Sequence, residues 1–506
     1  MAKEKKYTRP ESSWIMYDWA NSVYATIIMA AIFPTYFASI APQGDVWWAW
    51  GTSLATLVIA VLAPILGAIA DYKGLKKKLF STFLIIGLVF TTAMAFTDNW
   101  KLILVGYVIS YIGYAGSCLF YDSFITDVTT PERMDKVSAM GYSMGYIGGS
   151  TIPFLLSIVL INFVFADNIV LAVKISVVIT TLWWAIFSIP FLKNASQTHD
   201  LGAIPKHFLK ATFLNIGKTF TSIFKKKALL FFVLAYFFYI DGVGTVIHMS
   251  TAYGSTLGLN TTGMILALLV TQLVAAPCSI LFAKFADKIG SIKMLGIAVG
   301  IYFLICSVGF YMGFSLEPSQ MSSEKDFTAA FSLSVPEAET KYDALLGSCL
   351  SSLNNKDRDT EIPAIIDEAN IDSADASAIK SAVAPVLSKI TDSGEYDSAL
   401  HLSNILFWAM AVLVGTCQGG IQALSRSYFG KLIPPEKSNE YFGFFDIFGK
   451  FAAVMGPALY AVTKTITGRS SYGILSLMLL FMIGALMLFL GRKHFKEAEN
   501  SRQTNA

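Results

Sequence analysis

Charged and amide side chains inside long apolar stretches are costly unless they are paired or wetted, so each is a candidate for chemistry. Asp18, Asp122, Asp241, Arg426, Asp446 and Lys450 all lie in such stretches. At a rise of about 1.5 Å per residue, Asp18 sits about 6 Å inside its stretch, with Asp122 and Arg426 at about the same level. Lys450 is deeper, about 15 Å in. Asp446 and Lys450 stand four residues apart, so one helix face can neutralise both or offer both to a charged solute. Gln418, Gln422 and Arg426 recur every four residues, a polar stripe too costly to face lipid. Asp241 precedes Gly242-Val243-Gly244, which predicts an interrupted helix with a carboxylate near the membrane centre and free backbone groups around it. Asn21 and Tyr24 are expected beside the same cavity. The set suits solute binding and ion coupling. No nucleophile–base pair or metal-ligand cluster accompanies it, so no catalytic residue, metal site or enzyme activity is expected. Gly443 to Lys450 looks superficially like a phosphate loop, but five residues separate Gly443 from Gly449 and no strand precedes them. No cofactor is expected.

The elements that must position these residues follow from composition. The chain has 506 residues, 54% hydrophobic and only 14% charged, against about a quarter charged in soluble domains. Mean hydropathy is +0.57. Apolar stretches of membrane-crossing length fall at 14–38, 47–70, 79–97, 102–126, 138–165 and 169–192, then at 228–252, 262–286, 292–314, 403–426, 440–462 and 472–491. This predicts an all-α membrane protein of twelve transmembrane helices in two pseudo-symmetric six-helix halves. The halves are 1–192 and 228–491, joined by a polar, lysine-rich linker at 193–227, with a tail at 492–506. The five cysteines form no CxxC pair, so neither a disulfide framework nor a zinc site is expected.

Net charge is +3, yet residues 315–402 hold 16 acids against 6 bases, leaving 19 against 32 elsewhere. Bases crowd the N-terminal tail, the turn after the second span, the linker and the C-terminus. The short loops on the other side hold only Lys101, Lys464 and Arg469. Both termini and the linker are therefore expected on the cytoplasmic side of a bacterial cytoplasmic membrane, and the acidic insertion 315–401 outside. The insertion reads equally as a small helical appendage, over Ala364–Ile371 and Ala378–Ile390, or as a disordered loop. The basic clusters orient spans and give no reason to expect nucleic acid. No cleavable signal precedes the first span, which is expected to be an uncleaved anchor.

The halves echo each other. Asp71 and Gly74 are matched by Asp287 and Gly290 at a spacing of 216. Gly116, Asp122, Gly145 and Pro153 are matched by Gly420, Arg426, Gly449 and Pro457 at a spacing of 304. Several echoes in register indicate a structural repeat. Gly141, Gly145 and Gly149 recur every four residues, which points to close helix packing.

The turn Gly67-x-x-Ala-Asp71-x-x-Gly74-x-Lys76-Lys77 resembles the signature of the major facilitator superfamily between its second and third spans. There Gly67 permits close helix approach, Gly74 the chain reversal, and Asp71 meets a helix N-terminus in the other half. Asp287 and Gly290 would form a second such switch turn. YDWANSVYAT (17–26), GGIQALSRSYFGKLIP (419–434) and YFGFFDIFGKF (441–451) resemble the vacuole effluxer-like family within that superfamily, whose fungal members are autophagy-related permeases that release amino acids. Spans one, four and ten line the central cavity in the superfamily. The resemblance thus implies that Asp18, Asp122 and Arg426 close the cytoplasmic side by pairing across the halves.

The combined reading is a secondary transporter that moves a small polar solute, an amino acid or related metabolite, by alternating access and as a monomer. Its partners are that solute and the lipid bilayer. Proton coupling and simple facilitated diffusion, of a sugar or another solute, both stay open. The rival class is a non-transporting receptor or scaffold that binds through the outer insertion.

Overall fold

The computed structural model describes residues 7–42, 44–205, 208–331 and 394–505. Among them, twelve helices are long and apolar enough to cross a bilayer. Spans one to six are Arg9–Ile40, Val46–Ala70, Leu75–Met94, Trp100–Val128, Met134–Val164 and Ile169–Asn194. Spans seven to twelve are Lys227–Gly254, Leu266–Ile289, Ser291–Leu316, Ala399–Leu432, Pro435–Thr467 and Ser470–Ser501.

Local chemistry sets their ends. Thr8 and Glu11 form a reciprocal cap on span one, with proline in its first turn. Spans four, six and eight each start on an asparagine cap: Asn99, Asn168 and Asn260. Gly74 and Gly290, with φ of 75° and 96°, supply the left-handed turns after spans two and eight.

Packing follows the repeat. In the first half, spans three and four, one and six, and two and four lie together. In the second, spans eight and ten, seven and twelve, and nine and twelve do so. The halves meet where span two crosses span eleven, and where span five crosses spans eight and ten. The small-residue stripe on span five seats it on span one: a β-carbon at Gly149 would fall 2.2 Å from the β-carbon of Ser22.

Three features differ from the sequence reading. Span seven is not interrupted; an unbroken α-helix covers Lys227–Thr256. Gly242 instead makes room for a neighbour, since a β-carbon there would lie 2.6 Å from the Phe481 ring. Widened π-helical turns occur elsewhere, at Tyr24–Ala31 in span one and at Tyr146–Thr151 in span five. The linker also carries a helix of its own, Phe208–Lys225. It packs on the ends of spans two, seven and eleven and so marks one face of the bundle, called here the linker face.

Helices run past spans nine and ten into the acidic insertion, as Ser291–Phe331 and Gly394–Leu432. The helical stretches expected at 364–371 and 378–390 lie outside the described residues.

The contact at Gly149 gives a stability test. Gly149→Val overpacks the span-one crossing and should cost about 1–3 kcal/mol, seen as a melting temperature several degrees lower. Gly217→Ala, on the linker helix with open space around it, should leave the melting temperature unchanged or raise it.

Candidate functional site

Arg426 on span ten is only 4% exposed, yet it carries a full charge, so its surroundings must satisfy every donor. Nη1 donates to Asp122 Oδ1 at 2.9 Å, and Nη2 to Asp18 Oδ2 at 3.0 Å. Nε donates to Ser138 Oγ at 3.0 Å, and Nη2 also reaches the Ser138 carbonyl at 3.2 Å. Trp14 and Tyr142 each place a ring 4.5 Å from the guanidinium carbon. These partners come from spans one, four and five, so one side chain ties three helices of the first half to the second. Gly141 is required by this cluster: a β-carbon there would stand 2.2 Å from Asp18 Oδ2. Charge-assisted bonds of this kind are strong, and removing one buried partner costs about 3–5 kcal/mol because a charge is left uncompensated.

A second contact joins the halves at the N-terminus of span eleven. Asp71 accepts hydrogen bonds from Asn439 N at 2.9 Å, Asn439 Nδ2 at 2.8 Å and Glu440 N at 3.1 Å. It therefore caps a helix of the opposite half by accepting from N–H groups that the helix itself leaves unpaired. Gly67 lets the backbones meet; a β-carbon there would fall 2.3 Å from the Asn439 carbonyl oxygen. Fully buried Lys76 donates to Asp127 Oδ2 at 2.6 Å, to the Ser123 carbonyl at 3.0 Å and to Ser438 Oγ across the halves at 3.1 Å. Lys77 turns the other way and holds the Ala195 carbonyl at 2.9 Å, inside its own half.

The second switch turn is not a copy of the first. Gly290 keeps the reversal, but Asp287 is exposed and caps nothing across the halves. The reason lies 304 residues before Asn439: the equivalent position is Asp135, whose charge acts on Asp287 as a like charge. Where Asn439 offers N–H groups, Asp135 offers another carboxylate. Asp135 instead accepts from Ser291 Oγ and Ser427 Oγ, both at 2.6 Å, and pairs with Lys431 at 2.7 Å. Sequence reasoning placed Lys76 in the turn motif without its partners and missed Asp127, Asp135 and Asn439. The signal for Asp135 and Asn439 was in the repeat, as the same position occupied by an acid in one half and an amide in the other.

Directly behind the Arg426 cluster lies a cavity of about 200 Å³ between the halves, lined by Leu119, Asp122, Tyr236, Phe445, Asp446 and Lys450 among others. Asp446 and Lys450 form an ion pair along one face of span eleven. Asp446 Oδ2 accepts no hydrogen bond. Tyr236 stacks on Phe445 with centroids 4.0 Å apart, giving the cavity an aromatic wall. Asp122 belongs to both places: it holds Arg426, and its side chain, about one-third exposed, borders the cavity.

The other expected cavity residues lie apart. Asn21 Nδ2 points to Cys118 Sγ at 3.8 Å. Tyr24 is fully buried, bonded to Ser110 Oγ at 2.7 Å and stacked on Tyr114, so it packs the first half internally. Gln418 is buried beside a separate cavity of about 90 Å³ enclosed by spans seven to ten and twelve, and Gln422 is half-buried. Asp241 is wholly buried against Thr245 and Gly456 of span eleven, and neither of its carboxylate oxygens accepts a hydrogen bond of good geometry.

Two tests follow from this geometry. Asp122→Ala or Arg426→Ala should lower the melting temperature and separate the helices at the linker face. The exchange of Asp122→Arg with Arg426→Asp should recover much of both losses, while independent, unrescued losses would disprove the pairing. Asp71 gives a pH test. Burial pushes its carboxyl up to about 8, although the Asn439 amide, Lys76 and the two backbone N–H groups pull it down. Once the halves separate, the carboxyl returns toward its ordinary 3.8. The closed contact thus keeps a proton that the open one releases, so the contact weakens as pH rises from about 4 to about 8. Spin labels at Lys73 and Glu436 should report longer distances at pH 8.5 than at pH 6. Asp71→Asn should remove that response.

Comparison with known proteins agrees with this architecture. The family described as vacuole effluxer Atg22 like matches residues 48–327 and 403–499. The uncharacterized MFS-type transporter YxiO of Bacillus subtilis is 38% identical over 497 residues, covering 96% of this chain and 95% of that protein. Autophagy-related protein 22 of Cryptococcus neoformans is 21% identical over 380 residues, 73% of this chain and 56% of that one. Among solved structures, the major facilitator transporter FucP in the outward conformation aligns with a TM-score of 0.60 at 11% identity, over 95% of this chain and 98% of that chain. At that identity the likeness concerns the fold.

Proposed function

The chain belongs to the vacuole effluxer Atg22-like family of major facilitator-type transporters, and from that premise we propose that it moves an amino acid or a closely related zwitterionic metabolite by alternating access. The linker face, with both termini, is the cytoplasmic side of a bacterial cytoplasmic membrane. One chain contains both halves of the path and acts as a monomer.

The observation that carries this reading is the double placement of Asp122. It is one of the two carboxylates holding Arg426, and it also borders the cavity that contains Lys450 and Asp446. A solute with one ammonium and one carboxylate group offers Asp122 a competing cation and Lys450 a competing anion. Binding then draws Asp122 from Arg426 and unlocks the cytoplasmic side, so the solute opens the barrier it must pass. Asp18, Asp122 and Arg426 act as the cytoplasmic gate, and the Asp71 contact follows as the halves part.

Proton coupling is supported by Asp446 and Asp241, carboxylates with oxygens that no donor satisfies. Carboxylates within spans that face a cavity or the bundle interior are the groups from which proton relays are built.

Counterflow in proteoliposomes tests the proposal. Purified protein preloaded with an unlabelled amino-acid mixture should accumulate labelled substrate, and Lys450→Gln should cut that exchange at least roughly tenfold, the worth of about 1.4 kcal/mol. Absence of exchange with any amino acid, or a Lys450→Gln variant with unchanged rate and KM, would overturn the substrate assignment. An imposed pH gradient should accelerate net movement in the wild type and not in Asp446→Asn.

A further inference from the structure

The linker helix, Phe208–Lys225, is sharply two-sided. Its inner side is bound to the protein: Thr212, Thr219 and Ile223 are buried, and Tyr441 of span eleven donates to Ser222 Oγ at 3.0 Å. Its outer side carries Phe213, Leu214, Phe220 and Phe224, each between 48% and 60% exposed. Phe213, Phe220 and Phe224 are spaced i, i+7, i+11 and form one edge. Such a row on a water-facing helix is unfavourable and marks a surface meant to be covered.

The depth of the helix identifies what covers it. Phe220 lies 5.9 Å from Phe444 between ring centroids, and Ser222 is bonded to Tyr441. The helix therefore runs beside the first turns of span eleven, at the level where that span's apolar stretch begins. Charge agrees. Exposed Lys225 ends the helix, and exposed Lys226 and Lys227 lead from it into span seven. They line an open groove of about 570 Å³ with Leu229, Leu432 and His494. The groove's acid, Glu497, is held by His494 at 3.1 Å.

We propose that the linker helix is an in-plane membrane anchor, with its Phe213–Phe220–Phe224 edge in the acyl boundary and the Lys225–Lys227 groove holding the headgroup of an anionic phospholipid. Amphipathic helices with aromatic residues on one face and lysines beside them bind interfaces in this way. The assignment rests on where the helix lies and is independent of which solute the protein carries. Because the helix is bonded to Tyr441, beside the Asn439–Glu440 cap of Asp71, an occupied groove also steadies the contact that closes the linker face.

The test uses the full chain in vesicles, with dansylalanine placed at Phe224. In phosphatidylcholine–phosphatidylglycerol vesicles its emission should be blue-shifted, quenched by lipids brominated near the headgroup and protected from aqueous iodide. Iodide quenching equal to that of free dansyl amide would refute the anchor. For the groove, native mass spectrometry of Lys225→Gln/Lys226→Gln/Lys227→Gln should show retained phosphatidylglycerol reduced roughly tenfold or more at low ionic strength, with the melting temperature in detergent unchanged. Equal lipid retention by the triple variant would refute the headgroup site. Displacement of the lipid by millimolar inorganic phosphate would show a phosphate-ion site and overturn the lipid assignment as well.

Discussion

A single cation with nowhere to go organises this protein. Arg426 is buried between the halves, and a guanidinium cannot shed its charge as a lysine or histidine can. Its neighbours must therefore supply charge, acceptors and aromatic faces together. Asp18, Asp122, Ser138, Trp14 and Tyr142 do so from three helices. Their positions in turn dictate a glycine at 141 and a close crossing of span five on span one. The cluster is stable only when complete, because loss of one partner leaves a buried charge uncompensated.

The two halves repeat in backbone but not in charge, and that departure makes the two crossings between them unlike. On the side of spans two and eleven, Asp71 meets the N-terminus of a helix whose first turn carries Asn439. On the side of spans five and eight, the matching place holds Asp135, so Asp287 meets a like charge and stays in solvent. Asp135 is neutralised by Lys431 and two serine hydroxyls instead. The two crossings consequently differ in chemistry: one is a helix end capped by an aspartate side chain, the other an ion pair with hydroxyl support.

Polar residues within the spans also divide by role. Asp122, Asp446 and Lys450 share a cavity with an aromatic wall. Tyr24 and Asn21, close to Asp18 in sequence, are instead consumed by packing within the first half. Asp241 is set apart between spans seven and eleven. Proximity along a helix therefore says little about a shared cavity, because successive residues point about 100° apart.

The sequence by itself determined the twelve spans and their grouping into halves, because a bilayer leaves the backbone no alternative to apolar helices of fixed length. It also made the opposite charges of Asp122 and Arg426 visible, as a repeat with one sign reversed. The i, i+4 pairing of Asp446 and Lys450 was likewise readable, since helix geometry alone brings them together. Only the tertiary structure decided that span seven runs unbroken, because Phe481 fills the space beside Gly242 and puts a packing contact where an interruption was expected. Only it showed which aspartate caps a helix and which is left in solvent, and that the linker forms a helix with an uncovered aromatic edge. Those outcomes depend on which faces meet across the halves, and contacts between residues hundreds of positions apart leave no periodic trace in the chain.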